Sequence, residues 1–390
     1  MSAFNRRLFL KKSGLGLVPA VLPFGSAIAA RHPAVNAPSS PVIKLFGDGE
    51  MFDPNDYISE LQKANASLGI NKDRYGVGGV VEALEKKFAD ITGKEKAIYM
   101  PTGTMANQLA IAVLSGENTK IFVQDLSHVH RDEADAAQSV FQRRLMPLAK
   151  GETYFTAQDL KNAIDSLPQE EAFKSGVGAV SIENPVRRRD GRMVPLGEIE
   201  KISAYCRANG IKLHLDGARL YMASAWSGVP IKQYATYFDT VYISLYKYLG
   251  AAGGAVLCGS KAVIDKMPHL VKVHGGSMYG NWPQAAMALY RVEGFEQRLK
   301  EAVKRSNEIF TALNAGRRIA IKPLDGGTNI YNLQLDKSID GKKLQERLVT
   351  EFNIRMPHPN QNNQAQISVN ETLLYKEPAY IINAFEKAMG

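Results

Sequence analysis

Short apolar runs alternate with amphipathic helical stretches through most of this chain, and that alternation restricts its fold more than any other feature. Residues 80–91 (VVEALEKKFADI) place Val81, Leu84, Phe88 and Ile91 on one helical face. A short strand at 96–100 runs through Pro101-Thr102-Gly103 into a helix at 105–114. Further apolar strands are predicted at 121–124, 177–182, 211–215, 240–245 and 254–258, with a helix at 196–209 that stops at Gly210. Repeated β-α-β units with apolar strands predict an α/β fold, a mostly parallel sheet sandwiched by helices. From about residue 270 the pattern changes to long helices (293–315, 341–352, 378–389) with short strands between them. The predicted organisation is a large domain over 43–268, with an N-terminal arm, and a smaller C-terminal α+β domain over 269–390.

The first 42 residues stand apart. Asn5-Arg6-Arg7-Leu8-Phe9-Leu10-Lys11-Lys12 precedes an uncharged stretch from Ser13 to Ala30. The twin arginine followed by Phe-Leu-Lys resembles a bacterial twin-arginine export signal. Ala27-Ile28-Ala29 offers an A-x-A cleavage site, so residues 1–29 are expected to be a signal peptide and 30–42 a Pro/Ser-rich spacer. This reading implies handling by the twin-arginine translocation machinery and a mature protein in the periplasm or otherwise exported. Four of the nine net positive charges lie in residues 1–29, which leaves +5 on the remainder. Those cations are scattered apart from Arg187-Arg188-Arg189, without aromatic interleaving, so no nucleic-acid partner is expected. Cys206 and Cys258 are the only cysteines and read as small core residues, with neither a disulfide framework nor a zinc site.

The informative residues sit where strands end, because ligands of parallel sheets bind beyond the strands' carboxyl ends. Asp216 directly follows strand 211–215, and a carboxylate there is costly unless it meets a cation. A protonated pyridine nitrogen is such a cation, as in enzymes of pyridoxal phosphate. At about 4 Å and an effective dielectric near 20 that pair is worth about 4 kcal/mol, roughly three pKa units of ring protonation. Arg219 could reach the cofactor's phenolic oxygen or a substrate carboxylate. Lys247 follows strand 240–245 and precedes a glycine-rich turn, where desolvation lowers its pKa and frees the amine for a Schiff base. Gly103 and Thr104 open a helix after strand 96–100 and form a phosphate cradle at its N-terminus. His128, just after strand 121–124, can lie flat on a cofactor ring. A metal reading of His128, His130 and Glu133 is disfavoured by their spacing, and no metal is expected.

Together PTGTMANQLA, DLSHVHRDE, SIENPVRRRDGRMVPLGEI, LHLDGARL and SLYKYLG resemble the threonine aldolase and β-eliminating lyase family of fold-type I pyridoxal-phosphate enzymes, from about residue 43 to the C-terminus. The resemblance implies a seven-stranded-type sheet and covalent cofactor attachment at Lys247. It also implies ring contacts from Asp216 and Arg219, stacking by His128, and phosphate binding by Gly103 and Thr104. Lys247 and His128 would be the catalytic residues. Family members are homodimers or homotetramers with sites at subunit interfaces, and Tyr75 matches a position that can reach a neighbouring site.

Four substrate-facing positions depart from the family pattern. Gly47-Asp48 stands for its Ser-Asp pair, Val186 for a histidine, Tyr279 for an arginine, and Gln366 for the carboxylate-binding arginine. A charge-assisted clamp of that kind is worth roughly 1.5–3 kcal/mol per hydrogen bond. Arg74, Arg131 or the 187–189 run would have to replace it. The leading expectation is cleavage of a β-hydroxy-α-amino acid such as threonine to glycine and an aldehyde. The alternatives are β-elimination or another pyridoxal-phosphate reaction on a different amino acid, or a non-catalytic binding protein with this fold.

Overall fold

The computed structural model describes residues 41–390, so the expected signal peptide and nearly all of the spacer lie outside the described residues. Twelve strands are described. They are β1 (Ile43–Lys44), β2 (Lys96–Met100), β3 (Lys120–Gln124), β4 (Arg144–Leu148), β5 (Val177–Glu183) and β6 (Lys212–Asp216). The remainder are β7 (Thr240–Ser244), β8 (Ala255–Gly259), β9 (Ile319–Pro323), β10 (Ile330–Leu335), β11 (Ile354–Arg355) and β12 (Gln364–Ser368). Five helices carry the argument: α1 (Gly79–Thr92), α2 (Gly103–Ser115), α3 (Leu196–Ala208), α4 (Trp282–Val292) and α5 (Phe295–Ala315).

The central sheet has seven strands in the order β2-β8-β7-β6-β5-β3-β4. β8 pairs antiparallel with both neighbours, and all remaining pairs are parallel, so the sheet is mostly parallel as the apolar runs imply. Register places Glu183 beside Asp216 and Asp216 beside Tyr242. Two residues earlier His214 lies beside Thr240. Because side chains alternate faces with a period of two, these residues share one face at the carboxyl end of the sheet. β4, at an edge, carries Pro147, which an edge strand tolerates because its missing N–H has no partner to satisfy.

A second, antiparallel sheet, β12-β10-β9, lies in the C-terminal part. Two features blur the expected boundary at 268/269. α4 buries Ala285, Ala286, Met287 and Ala288 in the same core as Val81, Leu84 and Phe88 of α1. α5 then starts in that core through Phe295 and Leu299 and ends in the core of the smaller sheet through Ile309, Phe310 and Leu313. At the other end, β1 pairs with β11, and Ile43 and Leu45 pack in the smaller core. The expected 43–268 span therefore begins inside the C-terminal packing unit. A two-residue strand has too little periodicity to reveal a partner some 300 residues away.

Candidate active site

The site is a cavity of about 400 Å³ at the carboxyl ends of the parallel strands. Glu183 and Asp216 reach it from the ends of β5 and β6, and Tyr242 from β7. His128 and Glu133 come from the loop region after β3, and Gly103 and Thr104 from the start of α2. Lys247, Gly253 and Gly254 close it from the turn between β7 and β8.

α2 is capped by Thr102, whose side chain accepts the Met105 N–H at 3.1 Å. The cap therefore sits two residues before Thr104, which lies in the first turn with its backbone at the positive end of the helix. Gly103 has to be glycine: a Cβ there would stand 2.1 Å from the Tyr242 hydroxyl and 2.5 Å from its Cζ. The helix thus starts against the ring of Tyr242 with no room between them. Gly254 adopts φ +100°, and a Cβ there would meet Tyr99 at 2.8 Å.

Asp216 is buried. Its Oδ1 accepts from the Ala218 N–H at 3.1 Å and its Oδ2 from Asn107 Nδ2 at 2.9 Å. The same Nδ2 donates to Glu133 Oε1 at 2.7 Å, and that oxygen also lies 2.9 Å from His128 Nδ1. The bond to Glu133 holds the His128 imidazole proton and raises its pKa. Glu183 accepts the N–H groups of His128 at 2.7 Å and Arg187 at 2.9 Å. Burial, reinforced by Asp216, pushes Glu183 up to about 7. Glu133 Oε2 is buried with no hydrogen-bond partner among the described residues.

Lys247 stands against this acidic group. Its pKa is lowered, first by burial and then by the nearby Arg219 guanidinium, which favours the neutral, nucleophilic amine. Among the described residues lining the cavity it is the only lysine or arginine. Arg219 is held outside the lining by Asp48, with Nε 2.7 Å from Oδ2, and Asn329 donates to the other Asp48 oxygen at 3.4 Å.

This donor set fits pyridoxal phosphate. A crowded set of buried carboxylates, one with an unpartnered oxygen, calls for a cation such as a protonated ring nitrogen. The start of α2 suits a phosphate, and a desolvated lysine suits an aldehyde carbon. Of the residues picked from sequence, Lys247, Asp216, His128, Gly103 and Thr104 converge on the cavity, and Arg219 flanks it. Val186, Tyr279 and Gln366 do not line it. Arg131 is engaged by Asp125, and Arg187 and Arg188 by Asp132, whereas the Arg74 side chain is exposed. Asn107, His214 and Tyr242 escaped the sequence reading. Asn107 stands one helical turn after Gly103, and His214 two residues before Asp216. Those spacings put them on the site's faces, but only strand register shows which groups they meet.

A model of the beta-eliminating lyase family matches residues 53–335. The low-specificity L-threonine aldolase of Candida albicans is 31% identical over 275 residues, 70% of this chain and 72% of that protein. The corresponding enzyme of Saccharomyces cerevisiae is 33% identical over 237 residues, 60% of each protein. Among solved structures, a candidate aromatic amino acid beta-eliminating lyase/threonine aldolase from Exiguobacterium sp. 255-15 superposes with a TM-score of 0.73. It is 25% identical and covers 90% of this chain and 97% of its own.

Proposed function

The chain belongs to the beta-eliminating lyase family, and from that premise we propose that it cleaves a β-hydroxy-α-amino acid of the threonine type to glycine and an aldehyde. It is a pyridoxal-phosphate-dependent lyase of fold type I. The observation that carries the reading is the pairing, in one cavity, of a lysine with a lowered pKa and a buried strand-end aspartate. When bound, pyridoxal phosphate supplies an electron sink for the bond that breaks.

The residues divide the remaining work. Asp216 holds the ring nitrogen and Lys247 the aldehyde carbon. His128 covers the ring and, backed by Glu133, takes the proton of the substrate hydroxyl. The start of α2 at Gly103 and Thr104 receives the phosphate. Arg219, neutralised by Asp48, completes the contacts on the phenolic side. A substrate carboxylate needs a cation beyond Lys247. The exposed Arg74 of a neighbouring copy is our candidate, in a homodimer or homotetramer whose subunits meet at Tyr75, Val77 and Tyr279. Export through the twin-arginine route, with cleavage near Ala29, remains part of the proposal. N-terminal sequencing of the native protein tests it, and residues 1–29 still attached would contradict it.

The activity is tested by incubating holoenzyme with L-threonine, L-allo-threonine and other β-hydroxy amino acids. Glycine with an aldehyde is the expected product. A keto acid with ammonia would instead establish β-elimination, and no product from any substrate in the panel would overturn the proposed substrate class.

A further inference from the structure

Behind Asp216 runs a buried chain of hydrogen bonds that the proposed chemistry does not use. Thr240 Oγ1 lies 2.8 Å from His214 Nδ1, His214 Nε2 lies 2.9 Å from Asn107 Oδ1, and Asn107 Nδ2 reaches both Asp216 and Glu133. The polarity of this chain is fixed. An amide oxygen only accepts, so the imidazole proton sits on Nε2 and Nδ1 accepts from the threonine hydroxyl. A flipped amide would turn its oxygen on two carboxylates. All five residues are fully or almost fully buried, and burial pushes His214 down to about 4, so the ring is neutral and keeps this one tautomer.

Asp216 is faced by Glu183 from β5, by His128 and Glu133 from beyond β3, by Tyr242 from β7, and by Lys247 and Arg219. Among the described residues only Asn107 donates a side-chain hydrogen bond to its carboxylate. A carboxylate oxygen of Asp216, one of Glu133 and a ring nitrogen of His128 lie within 4.8 Å of one another. Two buried carboxylates that close, without a donor between them, share a proton, and one of them titrates far above its ordinary range.

We propose that Asn107, locked in orientation by His214 and Thr240, is a positioning residue that keeps Asp216 aimed at the cofactor's ring nitrogen by standing as a shared donor between it and Glu133. This rests on the pyridoxal-phosphate reading above and adds to it a residue that touches neither substrate nor cofactor chemistry. Its removal takes away a bond that stabilises ionised Glu133, whose pKa burial and the charge of Asp216 already raise, so the proton held there competes with the cofactor for Asp216 and weakens the grip on the ring nitrogen. Raising the pH removes that proton and restores the grip.

The test is titration of the full apo chain with pyridoxal phosphate across the neutral and alkaline range, followed by absorbance, with thermal melts to establish folding. Asn107→Leu is expected to bind at least tenfold more weakly near neutrality and to recover as pH rises more steeply than wild type. His214→Leu is expected to follow it in part, and His214→Gln to be rescued, because a glutamine can donate to Asn107 and accept from Thr240. Thr240→Val should give an intermediate loss. A folded Asn107→Leu whose affinity and pH profile overlay the wild type overturns the proposal. If that variant does not fold, wild-type binding by both His214→Leu and Thr240→Val overturns it. A wild-type chain that takes up no cofactor refutes the underlying reading instead, so the two failures are distinguishable.

Discussion

Asp216 stands among six other titratable groups, and its neighbours decide what it can hold. Asp216 accepts from Asn107 and Ala218 and keeps further lone pairs for a cation, while Glu183 is pushed up to about 7 by burial. His214 gives the clearest pH signature. Its folded pKa, about 4, lies below the ordinary 6.5, so the unfolded chain binds the proton more readily. Its contribution to stability is complete above about 6.5 and is lost as pH falls toward 4, by at most about 3 kcal/mol. Chemical denaturation from pH 7 to 4 should show this loss, and His214→Gln should flatten that part of the curve. Asp216 was legible in sequence because its strand-end setting comes with the Gly-Ala-Arg that follows it and with Lys247 downstream. Asn107 was not, since an asparagine inside a helix has many.

At the scale of elements, the start of α2 and the face of β7 are fitted to each other. Gly103→Ala would press a methyl group against Tyr242, and overpacking of that kind costs about 1–3 kcal/mol. The expected outcome is a lower melting temperature together with weaker cofactor binding. Adding Tyr242→Phe, which removes the nearest atom, should restore part of both. Strands β2, β3 and β5 to β8 were readable from their apolar runs. β4 was hidden by Pro147, which argues against an interior strand and is tolerated only because β4 lies at an edge. The start of α2 was readable too, although the cap is Thr102 rather than Thr104, because both hydroxyls stand where a helix can begin.

On the scale of the molecule, α5 belongs to both cores, so the change of pattern near residue 270 marks a change of element length, not a break in packing. Tyr75, Val77 and Tyr279 are 50%, 75% and 61% exposed, and the first and last pack edge-on with ring centroids 5.4 Å apart. Such a patch favours association. Light scattering should find an oligomer, and Val77→Asp with Tyr279→Asp should shift it toward monomer and lower activity if a neighbour completes the site. The alternating pattern carried the sheet and its ligand-binding end, whereas the pairing of β1 with β11 depends on contacts distant in sequence. The proposed chemistry rests on Lys247, and one measurement reaches it directly. The holoenzyme is reduced with borohydride, digested, and its peptides are mapped by mass. The cofactor is expected on the peptide containing Lys247; no labelled peptide, or the label on another lysine, would overturn that attachment.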